Sequence, residues 1–71
     1  MDDHYPMILE WSEEERTYIV TFPDLPGCMA DGPTPEEAVR EAQIAKGLWL
    51  DVVREEGWPI PKPRAHILAD A

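Results

Sequence analysis

"TYIVTFPDLPGCMADGPTPEEAV", residues 17–39, changes its period twice, and those changes decide the fold. Over Thr17–Phe22 the side chains alternate: Tyr18, Val20 and Phe22 point one way, Thr17, Ile19 and Thr21 the other. Nearly all are β-branched or aromatic, the composition of a half-buried strand. Pro23 and Pro26 then remove two backbone donors, and Gly27 opens conformations closed to other residues, so the chain must bend there. In the following "GCMAD", Cys28 and Ala30 alternate with Met29 and Asp31, which predicts a short third strand ending at Gly32 and Pro33. Thr34, Pro35 and Glu37 read as an N-cap, a proline at the first helical position and a capping-box glutamate.

Working outward, residues 5–12, "YPMILEWS", place Tyr5, Met7, Leu9 and Trp11 on one face and Pro6, Ile8, Glu10 and Ser12 on the other. This is a strand with one strongly apolar side. The run Glu13, Glu14, Glu15, Arg16 is too charged to bury and links the first two strands as an antiparallel hairpin. Ile8 and Ile19 fall on the hairpin face opposite the stronger apolar set, which hints at a sheet face or edge that pairs with another chain.

Downstream, Ala38, Ala42, Ala45, Trp49 and Val52 recur at spacings of three and four, with Ile44 and Leu48 widening the stripe. The alanines predict a close approach of helix to sheet. Gly57 is placed to end the helix, and Pro59 and Pro61 prevent its resumption. Residues 58–63 read as a Pro-rich linker, and 64–68, "RAHIL", as a last strand or a partner-docking arm. The expected class is α+β in the order β-β-β-α-β: a three-stranded antiparallel sheet, one long helix and a short fourth strand.

The 71 residues make one domain, with a core spanning 4–57. So small a unit buries a modest fraction of its surface, and its core must be nearly complete or finished by a second subunit. A lone cysteine excludes an internal disulfide, and the two histidines show no zinc-ligand spacing. No apolar stretch approaches a membrane span, and the acidic "MDDH" is unlike a signal peptide, so a cytoplasmic location is expected. Fifteen acidic against six basic residues give a formal charge of −9. That balance repels nucleic-acid phosphates and anionic membranes and attracts basic surfaces.

Several residues invite a chemical reading. Carboxylates at Glu10, Asp24, Asp31 and Glu41 could serve a metal-dependent nuclease, yet no spacing among them resembles a metal loop. Fifteen acids in so short a chain bring some pair together by chance. Cys28 has no basic residue near it in sequence, while Asp24 and Asp31 would raise its pKa, so it reads as a packed apolar residue rather than a nucleophile. His4 and His66 could act as general bases only with an orienting partner and a substrate pocket, which the sequence does not identify. Trp49 belongs to the helix stripe. Trp11 and Trp58 sit at element ends, where half-covered indoles often anchor protein interfaces. The sequence therefore points to no catalytic, cofactor or metal residues, and to Trp11, Asp24, Asp31 and Trp58 as partner-binding candidates.

The ordered string Phe22, Pro23, Asp24, Leu25, Pro26, Gly27, Cys28, then Gly32, Thr34, Glu37, Ala38, and finally Gly57, Pro59, Ile60, Pro61 resembles the HicB family of small antitoxin-like proteins over roughly residues 4–63. The resemblance implies a partial ribonuclease-H-like fold, homo-oligomers (dimer or tetramer), and a role as antidote that masks a small basic HicA-type mRNA-cleaving toxin without chemistry of its own. It does not carry over a catalytic carboxylate set. Many members add a C-terminal ribbon-helix-helix or helix-turn-helix segment for operator binding. Ala71 leaves no room for one, so direct DNA contact is not expected. Apart from the nuclease, the alternative is an orphan oligomeric interaction module.

Overall fold

The computed structural model describes residues 4–62. Three strands, β1 (Ile8–Ser12), β2 (Thr17–Thr21) and β3 (Met29–Gly32), precede one helix, α1 (Pro35–Glu56). The strands form an antiparallel sheet in the order β1-β2-β3. The first strand is shorter than the alternation over 5–12 suggests. The fourth strand expected over 64–68 lies outside the described residues.

Register assigns every strand side chain to a face. Leu9 pairs with Val20, which pairs with Ala30, and Trp11 pairs with Tyr18, which pairs with Gly32. Because Val20 lies fully buried in the cluster containing Ala38 and Ala42, this is the helix side. Ile8–Thr21–Met29, Glu10–Ile19–Asp31 and Ser12–Thr17 form the rows of the opposite face. The helix packs mainly on β3 and less on β2. Met7, Leu9 and Trp11, the apolar side of the first segment, therefore stay more than a third exposed.

The turn between β1 and β2 is closed by the Arg16 amide donating to the Ser12 carbonyl at 2.7 Å and the Glu15 amide donating to Ser12 Oγ at 3.1 Å. Arg16 has φ 57°, a left-handed conformation that costs a residue with a Cβ about 1 kcal/mol or more. Its ion pair with Glu13 is long, 3.9 Å, and highly exposed, so it returns little. Arg16→Gly is accordingly expected to stabilise the fold by about 0.5–1 kcal/mol, seen as a rise in the urea midpoint at unchanged slope. A lower midpoint would contradict this account of the turn.

Residues 22–28 make two successive turns, with the Leu25 amide on the Phe22 carbonyl at 3.0 Å and the Cys28 amide on the Leu25 carbonyl at 2.9 Å. Pro26 followed by Gly27 at φ 81° has the signature of a type II turn. Between the turns, Leu25 is driven into the core and is fully buried. The stretch is thus a structural connection between β2 and β3.

At the helix start, Thr34 Oγ1 accepts from the Glu37 amide at 3.2 Å, as an N-cap should. The Glu37 carboxylate meets the Thr34 hydroxyl at 3.4 Å, so the reciprocal half of the box falls on the side chain and not on the backbone amide. At the end, Gly57 takes φ 75°. Its amide donates to Arg54 and that of Trp58 to Val53, a Schellman closure.

The helix stripe requires correction. Ala38, Ala42, Leu50 and Val53 are buried, with Ala45 and Trp49 partly so, whereas Ile44, Leu48 and Val52 are about half exposed or more. Two edges of the apolar arc compete for a narrow sheet, and the edge carrying Leu50 and Val53 wins.

Candidate partner-binding surfaces

Nine apolar residues form the core of the described region: Tyr5, Val20, Phe22, Leu25, Cys28, Ala38, Ala42, Leu50 and Val53. Among the described residues, ten large apolar side chains, including Ile8, Leu9, Trp11, Met29, Leu48, Val52 and Trp58, are each more than a third exposed. Exposed apolar groups are informative where they gather into contiguous patches. They fall on three sides.

On the helix side, the Trp49 indole donates to the Pro26 carbonyl at 3.1 Å, tying the helix to the β2–β3 connection. Around this anchor, Pro26, Val52, Val53, Trp58 and Pro59 line one groove. A second is lined by Gly27, Cys28, Met29, Ala45, Leu48 and Val52. The uncovered part of β1 forms another side, where the Trp11 ring meets Tyr18 edge to face with centroids 4.9 Å apart. The Trp11 indole donates to Glu13 at 3.0 Å. The Tyr5 hydroxyl donates to the Pro61 carbonyl, bringing the segment after the helix back to the start of β1. The third side is the helix-free face of the sheet, where a shallow groove is lined by Glu15, Thr17, Ile19, Met29, Ala30 and Asp31.

The four partner-binding candidates do not converge. Trp11 lies on the helix side of an edge strand, Asp31 on the opposite face, Asp24 in the β2–β3 connection and Trp58 just past the helix. The exposure expected of the two tryptophans holds, at 46% for Trp11 and 57% for Trp58. Sequence reading missed Leu48 and Val52 as surface groups, because their spacing alone fits a core stripe equally well.

Of the carboxylates considered for metal chemistry, Glu10 and Asp31 flank Ile19 on neighbouring strands. Glu41 shares with Asp31 a polar groove at the start of the helix that Arg16 and Arg40 also line. Among the described residues, no three His, Cys, Asp or Glu side chains are grouped so as to hold a metal ion. Cys28 is buried, and burial pushes its thiol pKa up. Lys46, brought close by the helix, opposes that shift in part, so the fold supplies a basic neighbour not evident from the sequence. The raised pKa comes from burial rather than from Asp24 and Asp31. Such a thiol is a poor nucleophile at neutral pH. No helix of the described residues is long and apolar enough to cross a membrane.

Comparison with known proteins finds small relatives of similar length. A UPF0150 protein of Synechocystis sp. is 33% identical over 64 residues, 90% of this chain and 86% of its own. Another from Thermoplasma acidophilum is 30% identical over 54 residues, 76% of this chain and 78% of its own. No solved structure matches significantly. The family model for the HicB-like antitoxin of bacterial toxin–antitoxin systems matches residues 5–69, nearly the whole sequence, and the chain belongs to that family.

Proposed function

We propose that this chain is the antitoxin of a toxin–antitoxin pair, and that it neutralises a small basic HicA-type mRNA-cleaving toxin by covering its surface, with no reaction of its own. The observation carrying this reading is the pairing of a charge of −9 with large apolar groups outside the core. An RNA-cleaving partner must be positively charged to hold its substrate, and an acidic domain with exposed apolar anchors is complementary to it in both respects. The oligomer that the family resemblance implies is built on the apolar helix side. The site of action is the cytoplasm, where the toxin meets messenger RNA.

Co-expression tests the proposal. The small basic protein encoded beside this chain is expected to arrest growth when produced alone and to be harmless when both are made. The two should also co-purify. If growth arrest persists with both present, or if no basic neighbour is encoded, the antitoxin reading fails. RNA cleavage by the purified chain with magnesium or manganese would favour the nuclease instead.

A further inference from the structure

The sheet has two faces and the helix covers one. We propose that the helix-free face is where the toxin docks: a basic protein surface whose Lys or Arg side chains straddle an aliphatic centre. This rests on the antitoxin reading and specifies which surface performs it. Register places Glu10, Ile19 and Asp31 in one row across the three strands, with Ile8, Thr21 and Met29 in the next and Ser12 and Thr17 on the far side. Every charge in those rows is negative. Within the described residues neither Glu10 nor Asp31 forms an ion pair, and Arg16, at the hairpin end, pairs with Glu13. Neighbouring strands lie about 4.8 Å apart, so the backbone positions of Glu10 and Asp31 stand roughly 10 Å from each other with Ile19 between them, spacing that suits two separate cations. Glu15 extends the acidic rim along the groove floored by Ile19 and Met29.

Charge decides between a basic partner and a second copy. In a twofold dimer a patch meets itself, so this face would bring the Glu10 and Asp31 carboxylates against their own copies while removing water from them, with Arg16 and Arg40 beside Asp31 only at the helix-start groove. A cationic partner turns the same groups into attractive contacts around an apolar centre. The helix-side grooves do not discriminate in this way, since the residues that line them are uncharged. They are the surface that self-association can use without penalty.

The test is a titration of this chain with an inactive form of the small basic protein encoded beside it, at two salt concentrations. Glu10→Lys and Asp31→Lys are each expected to weaken binding about tenfold or more, and to flatten its salt dependence, with thermal unfolding little changed because both side chains are exposed. Leu48→Lys on the helix is expected to leave the affinity per chain unchanged. If the unaltered chain binds and Leu48→Lys abolishes binding while the strand variants do not, the docking face is wrong and the antitoxin reading stands. If the unaltered chain does not bind at all, the antitoxin reading falls and this inference falls with it.

Discussion

Gly32→Ala is expected to destabilise the domain by about 3 kcal/mol, lowering the unfolding temperature by roughly 15 °C. Gly32 ends β3 on the helix side, directly beneath the first turn of the helix. A Cβ there would lie 2.6 Å from the Ala38 amide nitrogen, 2.9 Å from the Glu37 carbonyl carbon and 3.0 Å from Ala38 Cα. All three are backbone atoms and cannot swing aside as a side chain would. Moving them would strain the hydrogen bond from the Ala38 amide to the Thr34 carbonyl, 2.9 Å, and with it the N-cap. A domain of this size is expected to have about 4–10 kcal/mol of total stability, so the loss is a large part of it. Gly47 is the internal comparison. Nothing lies within 4 Å of a Cβ built there, on the exposed side of the helix. Gly47→Ala is expected to raise stability by about 0.5–1 kcal/mol, since alanine is the better helix former. Thermal melts of both variants check the pair. Equal melting temperatures would show that helix and β3 are not in backbone contact at Gly32.

That close approach was foreshadowed by Ala38, Ala42 and Ala45, the small residues facing the sheet. The hairpin, the third strand and both helix ends were likewise legible, because alternation, Thr34-Pro35 and Gly57 are local signals with local causes. What could not be read was which of several apolar groups wins a limited surface. Leu50 and Val53 are buried, and Leu48 and Val52 are exposed, although all four are aliphatic side chains on one helix. The choice depends on how much sheet lies beneath, and the helix sits over β3 and β2 rather than β1. Leu9 and Trp11 were placed on the correct face for the same local reason, yet their exposure follows from the helix's position and not from their own pattern. The binding surface was legible only in fragments. Ile8 and Ile19 stood out as apolar groups on the wrong side of a hairpin, and Asp31 as a displayed charge, but that Asp31, Ile19 and Glu10 share one row is a consequence of β2–β3 register. That register is set across the two turns of residues 22–28.

Leu25 is the residue within those turns on which the fold leans most, and Leu25→Ala is expected to cost about 3–4 kcal/mol. No periodicity announces it, since it sits between two prolines in a connection. Yet with Val20 it is one of the two largest fully buried side chains, and it belongs to the core cluster with Phe22, Cys28 and Leu50. Truncation leaves a cavity at the junction of sheet, helix and connection, where the two turn hydrogen bonds hold the backbone and limit collapse into the space. Leu25→Met, which keeps the volume, should lose less than about 1.5 kcal/mol. Because the isolated domain starts with little to spare, Leu25→Ala is expected to populate the unfolded state measurably at 37 °C, with broadened amide spectra and a shallow melt. A partner that binds only the folded form restores stability by mass action, about 2.7 kcal/mol at a hundredfold excess over Kd. Adding an inactive form of the proposed basic partner should therefore recover most of the loss for Leu25→Ala while leaving its intrinsic contacts intact, since the proposed docking rows Glu10–Ile19–Asp31 and Ile8–Thr21–Met29 face away from Leu25. Recovery would separate a variant that is merely unstable from one that cannot bind. A melt that stays unchanged in saturating toxin would mean that Leu25 shapes the binding face itself, placing the partner over the β2–β3 connection and not on the open sheet.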